Sequence, residues 1–106
     1  MSITELEKID FISIDPKGLV RLTISDHLDW DDEELHLRTL QDKINRYIEF
    51  IESRQIYEKY SDAEGKELRI DVVSKYEFTT LGNNFIRVVN DRLVELGLCT
   101  INQYVL

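Results

Sequence analysis

The stretch FISIDPKGLVRLTIS, residues 11–25, decides the fold because it contains two strands and the turn between them. In its second half, Val20, Leu22 and Ile24 alternate with Arg21 and Thr23. An alternation with a period of two is typical of a strand that buries one face and leaves the other in water. The pattern therefore predicts strands over residues 11–15 and 18–25.

The segment DPKG, residues 15–18, joins these two strands. Asp15 stands at the first position of a four-residue turn, Pro16 at the second and Gly18 at the fourth. These are the residues that a type I turn prefers at those positions. The two strands are therefore predicted to form a β-hairpin.

A long amphipathic helix is predicted next, over about residues 30–54. Its apolar positions recur at helical spacings and are Trp30, Leu37, Leu40, Ile44, Tyr47, Ile48 and Ile51. The opposite face is polar and carries Arg38, Asp42, Asn45, Glu49 and Glu52. A helix with one apolar face is expected to lie on a sheet.

The rest of the chain predicts one more strand, a helix and a final strand. ELRIDVVSKYEF, residues 67–78, follows a turn at Gly65 and is read as a strand, with Arg69 and Asp71 on its outer side. A second helix is predicted over about residues 80–96, with Gly97 as its left-handed C-cap. Its apolar stripe is Leu81, Phe85, Val88, Val89, Arg92, Leu93 and Leu96, with Arg92 at the polar margin. CTINQYV, residues 99–105, is the fourth strand.

The order ββαβαβ predicts a single α+β domain over residues 1–106, with two helices covering one face of a mixed sheet. Both layers of this two-layer sandwich are predicted to contribute residues to the core. The strands supply Val20, Leu22, Ile24, Leu68, Ile70 and Val72, and the helices supply Leu40, Ile44, Ile51, Phe85, Val89 and Leu93.

Composition and charge exclude several classes of protein. The chain has a net charge of −8 and no basic stripe, which argues against direct binding to nucleic acid. No apolar run reaches the roughly 20 residues of a membrane span, and the first ten residues lack the features of a secretory signal. A cytoplasmic location is therefore expected. Cys99 is the single cysteine and lies among apolar residues, where a small buried side chain is expected.

The segment SDHLDWDDEELH, residues 25–36, concentrates the negative charge, since six of its side chains are carboxylates. A helix start explains several of them. Asp29 is expected to act as the N-cap, and the acids that follow it lie where the helix dipole favours negative charge. The acids in and after this cap are Asp29, Asp31, Asp32, Glu33 and Glu34. They are more numerous than a cap requires.

Two kinds of chemistry are weighed for this segment. Asp26, His27, Asp29 and His36 are of the types that ligate metals, but the nine-residue separation of the histidines fits no zinc motif. A pair of catalytic carboxylates needs a cleft that raises one pKa, and acids at an exposed helix start are expected to have lowered pKa values. We therefore predict no metal, no cofactor and no catalytic residue. The specific function that remains for this segment is a docking surface for a basic protein.

A resemblance accompanies these observations. The segment from ISDHLDW through the helix QDKINRYIEFIES to the strand end KYE resembles a family of small, functionally uncharacterised bacterial proteins. In general character, such small acidic proteins are similar to immunity proteins that bind and block a cognate toxin, commonly a basic nuclease. That resemblance implies a non-enzymatic partner-binding protein whose acids meet a toxin domain. The alternative is a small metal-dependent or carboxylate-based hydrolase that uses His27, Asp29 and His36.

Overall fold

The chain forms four strands and three helices within residues 11–15 and 17–106, which are the residues that this computed structural model describes. The elements are β1 (Phe11–Asp15), β2 (Leu19–Asp26), α1 (Glu33–Glu52), α2 (Gln55–Lys59), β3 (Glu67–Ser74), α3 (Thr80–Glu95) and β4 (Thr100–Val105). A 3₁₀ turn, Ser61–Ala63, precedes β3. The predicted order is confirmed, with the short α2 as an addition.

The four strands form one mixed sheet in the order β1-β2-β3-β4. β1 and β2 are antiparallel, whereas β2 and β3, and likewise β3 and β4, are parallel. Each parallel pair is connected through a helix, α1 in the first case and α3 in the second. Because such crossovers are right-handed and the strands advance in one direction, both helices lie on the same face. The predicted α+β architecture, a helix layer on a mixed sheet, is confirmed.

The hairpin turn between β1 and β2 forms as predicted. The Gly18 amide donates to the carbonyl oxygen of Asp15 at 3.0 Å, and the Lys17 amide donates to the Asp15 carboxylate at 2.8 Å. Gly18 has a φ of 98°, a conformation that glycine adopts without steric cost. Pro16, assigned above to the second position of the turn, lies outside the described residues.

The core lies between the sheet and the helices. All six strand residues predicted for it are buried, and so are Leu40, Ile44 and Ile51 of α1. Tyr47 is buried too, and its hydroxyl donates to the carbonyl oxygen of Thr23 in β2 at 2.6 Å. This bond joins α1 to the sheet and gives the buried Tyr47 hydroxyl a hydrogen-bond partner.

Helix α1 is shorter than predicted at both ends. Asp32, not Asp29, is its N-cap, because the Asp32 carboxylate accepts from the Leu35 amide at 3.1 Å. The prediction that places Trp30 in the helix is therefore wrong. At the other end, Arg54 adopts a left-handed φ of 66°, which ends α1 and starts α2 in a new direction.

Helix α3 is rotated relative to the prediction. Its buried residues are Gly82, Ile86 and Leu93. The predicted stripe is wrong in part, since Leu81, Val88 and Leu96 are exposed and Phe85 and Val89 are only partly buried. Gly97 ends the helix with a φ of 70°, as predicted for a left-handed C-cap.

Strand β4 forms one edge of the sheet. Its Ile101 amide points away from β3 and donates to the side-chain oxygen of Asn90 in α3 at 3.0 Å. The Asn90 side chain of α3 therefore provides a hydrogen-bond acceptor for one backbone amide at this open edge of the sheet.

The face of the sheet opposite the helices is polar at its centre. Arg69 and Asp71, both predicted to point outward, form a two-pronged ion pair with distances of 2.9 and 3.3 Å. The hydrogen bond to Asp71 raises the pKa of Arg69 above its ordinary value. Asp71 is nevertheless only 6% exposed, so the outward prediction is right about the face and wrong about the exposure.

Ile44→Ala tests the packing of α1 on the sheet. Because Ile44 is buried between the layers, we expect a loss of about 2–5 kcal/mol in the free energy of unfolding by urea denaturation. Asn45→Ala is the matched control on the exposed side of the same turn and is expected to change it by less than about 0.5 kcal/mol. Equal small losses in both variants would mean that α1 does not pack through this face.

The Cys99 thiol provides a second test. Burial raises the pKa of Cys99 to about 11, so very little reactive thiolate is present near neutral pH. We expect a disulfide reagent such as DTNB to label the folded protein at least about tenfold more slowly than the urea-denatured chain. Equal rates in the two states would contradict the burial of this thiol.

Candidate functional site

The acidic segment begins where β2 ends. Asp26 is the last residue of β2 and, like Ile24 two positions earlier, lies on the buried face of the strand. The Asp26 side chain points toward the helix layer and is 2% exposed. One carboxylate oxygen accepts from the Leu28 amide at 3.2 Å, which closes the turn that leads out of the strand.

A buried hydrogen bond ties this carboxylate to helix α1. Nε2 of His36 lies 2.6 Å from the second carboxylate oxygen of Asp26. Nδ1 of His36 lies 2.8 Å from the carbonyl oxygen of Asp29. A carbonyl oxygen can only accept, so Nδ1 carries a hydrogen. The contact between His36 and Asp26 therefore joins two side chains that are both buried.

Aromatic side chains enclose this pair. The Trp30 ring stacks on the His36 ring at a centroid distance of 3.7 Å. Phe78 meets the edge of Trp30 at 5.0 Å. We call Asp26, Trp30, His36 and Phe78 the anchor cluster, because it connects the β2–α1 loop to the loop before α3.

Gly82 of α3 makes this enclosure possible. A Cβ atom at Gly82 would lie 2.8 Å from the Trp30 ring, closer than such atoms approach in proteins, and in a tight contact of 3.2 Å with the Phe78 ring. A glycine inside a helix costs roughly 1 kcal/mol relative to alanine. Here the absence of a side chain admits the tryptophan ring, and Thr79 caps the same turn by accepting from the Gly82 amide at 3.1 Å.

Five acids lie at and just before the start of α1, and all but the partly buried Glu33 are exposed. We call Asp29, Asp31, Asp32, Glu33 and Glu34 the acidic surface. The Asp29 carboxylate accepts from the Asp31 amide at 3.1 Å, in a tight turn before the helix. Asp32 caps the helix, and Glu33 and Glu34 lie in its first turn, where the dipole presents partial positive charge.

The structure separates the residues that the hydrolase alternative needs together. His27 and Asp29 are exposed, whereas His36 is 1% exposed and in contact with Asp26. His36 meets Asp29 through its backbone carbonyl, not its carboxylate. Among the described residues, no three histidine, cysteine or acidic side chains come together in a group that could hold a metal ion.

The sequence contained a signal for the anchor cluster that our reading missed. The alternation of β2 places Asp26 on the buried side, and the stripe of α1 places His36 one turn before Leu40. A buried carboxylate requires a partner. The sequence therefore predicts that Asp26 and His36, one on each side of the loop between β2 and α1, form a pair. The contact between Trp30 and Phe78 has no such signal in the sequence, since it depends on where α3 begins.

The features described so far define a two-layer α+β protein in which a buried carboxylate–histidine pair supports an acidic helix start. The chain belongs to a family of unknown function, DUF6572, whose model matches residues 1–105. This agrees with the resemblance to a functionally uncharacterised family and supplies no activity. Comparisons with curated proteins and with solved structures gave no match. None of the helices in the described part of the chain has both the length and the apolarity of a membrane span.

His36→Ala tests the anchor cluster. The substitution leaves the Asp26 carboxylate buried without its partner and removes the ring that Trp30 stacks on. Breaking one side of such a pair is expected to lower the free energy of unfolding by about 3–5 kcal/mol. The measurement is urea denaturation followed by tryptophan fluorescence.

His27→Ala is the matched control, because His27 belongs to the same segment but is exposed. It is expected to change the free energy of unfolding by less than about 0.5 kcal/mol. A loss for His36→Ala as small as that of the control would show that the pair does not hold the segment in place.

Proposed function

We propose that this chain is a non-enzymatic binding protein and that its acidic surface holds a basic protein partner. The observation that carries the proposal is the concentration of charge on a short, firmly held segment. The acidic surface, within residues 29–34, contributes five negative charges to a chain whose net charge is −8. The anchor cluster below fixes the backbone that carries them, so little ordering remains to be done on binding.

Within residues 11–15 and 17–106, most acids of this surface have no basic side chain as an ion-pair partner. The exception is Glu34, which pairs with Arg38 at 3.1 Å. Asp32 uses its carboxylate as the helix cap. A partner that brings lysine or arginine side chains would meet uncompensated charge, which speeds association and favours one orientation.

An apolar side chain adjoins these acids. Leu35 follows Glu34 in the first part of α1 and is 55% exposed. Protein interfaces commonly combine an apolar contact with a surrounding polar rim. Leu35 would supply that contact, and the acids around it would supply the rim.

The partner that we propose is a toxin domain that the chain binds and neutralises. The support is the likeness in general character to immunity proteins, together with the small size and acidity of the chain. Toxins of this kind are commonly basic nucleases, whose positive charge is complementary to the acidic surface. Binding over a toxin's positively charged site would exclude the nucleic acid that the site attracts.

The first experiment uses the tagged chain as bait in its native host. We expect a basic protein to co-purify with the wild type at low salt and to be lost as salt is raised. The double variant Asp31→Lys/Glu34→Lys is expected to lose the partner or to slow its association by about tenfold or more. Its free energy of unfolding should fall by only about 1 kcal/mol.

Glu58→Lys/Asp62→Lys is the matched control, with the same change in net charge at two exposed positions. Both residues follow the far end of α1, a helix of 20 residues. A helix of that length is about 30 Å long. The control should retain the partner. A partner whose affinity ignores salt and the Asp31/Glu34 variant would contradict the role of the acidic surface.

A further inference from the structure

Helix α3 carries more apolar surface than the sheet covers. Leu81, Val88 and Leu96 are 50%, 62% and 56% exposed. On average they lie about a third of a turn around the helix axis from the buried residues Ile86 and Leu93. A monomer rarely leaves such a continuous apolar stripe in water without a use for it.

The stripe borders a groove between α3 and α1. The groove has a volume of about 320 Å³, and Ile44 and Ile48 of α1 form its other wall. Phe85, Val88 and Leu96 line the α3 side, and the one charged residue in the lining is Arg92. The groove is therefore mostly apolar, with Gln41 and Asn45 as polar residues of its α1 wall, and it is open to solvent along the exposed stripe.

The spacing along α3 suits packing against another helix. The positions on this side are Leu81, Phe85, Val88, Arg92 and Leu96, at intervals of four, three, four and four residues. Alternating intervals of three and four place side chains along one seam between two helices. A polar residue within such a seam fixes how the two helices align.

We propose that two copies of this chain associate through this stripe, with their α3 helices antiparallel about a twofold axis near Val88. In that alignment Leu81 of one copy faces Leu96 of the other. Phe85 faces Arg92, a guanidinium-over-ring contact of the cation–π kind. Both pairs share one midpoint, between Val88 and Val89, so a single alignment satisfies them together.

The charge distribution selects a second copy as the occupant. Two copies of a chain with a net charge of −8 repel one another over most of their surfaces. Helix α3 carries no net charge, because Arg87 and Arg92 balance Asp91 and Glu95. It therefore allows close approach of like copies and offers no excess charge to a basic or an acidic partner. The association does not depend on the acidic surface or on the proposed function.

The test measures the mass of the purified full chain by sedimentation velocity over a concentration series from about 5 to 500 µM. One pair of helices buries less than a standard interface of roughly 1,600 Å², so we expect a reversible dimer with a micromolar dissociation constant. A wild type that stays monomeric over the whole series would overturn the proposal.

Val88→Asp and Val94→Asp form the matched pair of variants. Both valines lie on α3 and are similarly exposed, at 62% and 54%, but Val94 lies off the seam and does not line the groove. Val88→Asp is expected to weaken the dimer at least tenfold, and Val94→Asp less than twofold. Circular dichroism checks that both variants fold. Equal weakening by the two variants would overturn the proposal, since the effect would then be one of added charge alone.

A cross-linking experiment tests the twofold axis directly. In a Cys99→Ala background, Val88→Cys should form a disulfide-linked dimer under mild oxidation, because the two copies of residue 88 lie near the axis. Val94→Cys should not. Equal cross-linking at both positions, or at neither, would overturn the antiparallel alignment.

Discussion

The hydrogen bond between Asp26 and His36 is the interaction on which one end of the molecule depends. It joins the last residue of β2 to the second turn of α1 and closes the loop between them. The backbone of Asp26 also accepts from the Lys75 amide at 2.9 Å, just beyond the end of β3. The same residue therefore connects the two central strands and the first helix. Trp30 and Phe78 extend the connection to α3 through their contact with Gly82.

Much of this fold follows from periodicity, and the deviations have physical causes. The alternation in β2 and β3 identifies every core residue of those strands, because a buried sheet face tolerates few polar side chains. The apolar stripe of α3 does not identify the buried side of the helix, because it covers a wider part of the helix circumference than the sheet contacts. The sequence pattern alone therefore does not show which of these apolar residues face the sheet. Trp30 has the spacing of a helical residue, but the carboxylate of Asp32 caps the helix after it. The contact of Trp30 with Gly82 joins residues far apart in sequence, and no local pattern carries it.

The two exposed features of the molecule differ in their physics. The acidic surface is rich in charge, and its electrostatic field extends over the distance that salt permits. The α3 stripe is apolar and electrically balanced, so it acts only at contact. The two surfaces lie at different helices of the same layer, α1 and α3. The anchor cluster holds the start of α1 and packs against α3 through Gly82, and it keeps the two surfaces in fixed relation.

The hydrogen bond from Ile101 to Asn90 has a consequence for the behaviour of the chain in a crowded solution. An edge strand with free backbone amides is a template on which foreign strands add, and such addition begins fibrils and amorphous aggregates. At β4 the first outward amide is already satisfied by a side chain of the chain's own helix. An incoming strand would have to displace Asn90 before it could align with the start of the edge. The helix that covers the sheet thus also protects this margin against misassembly, with a single amide group and no added charge.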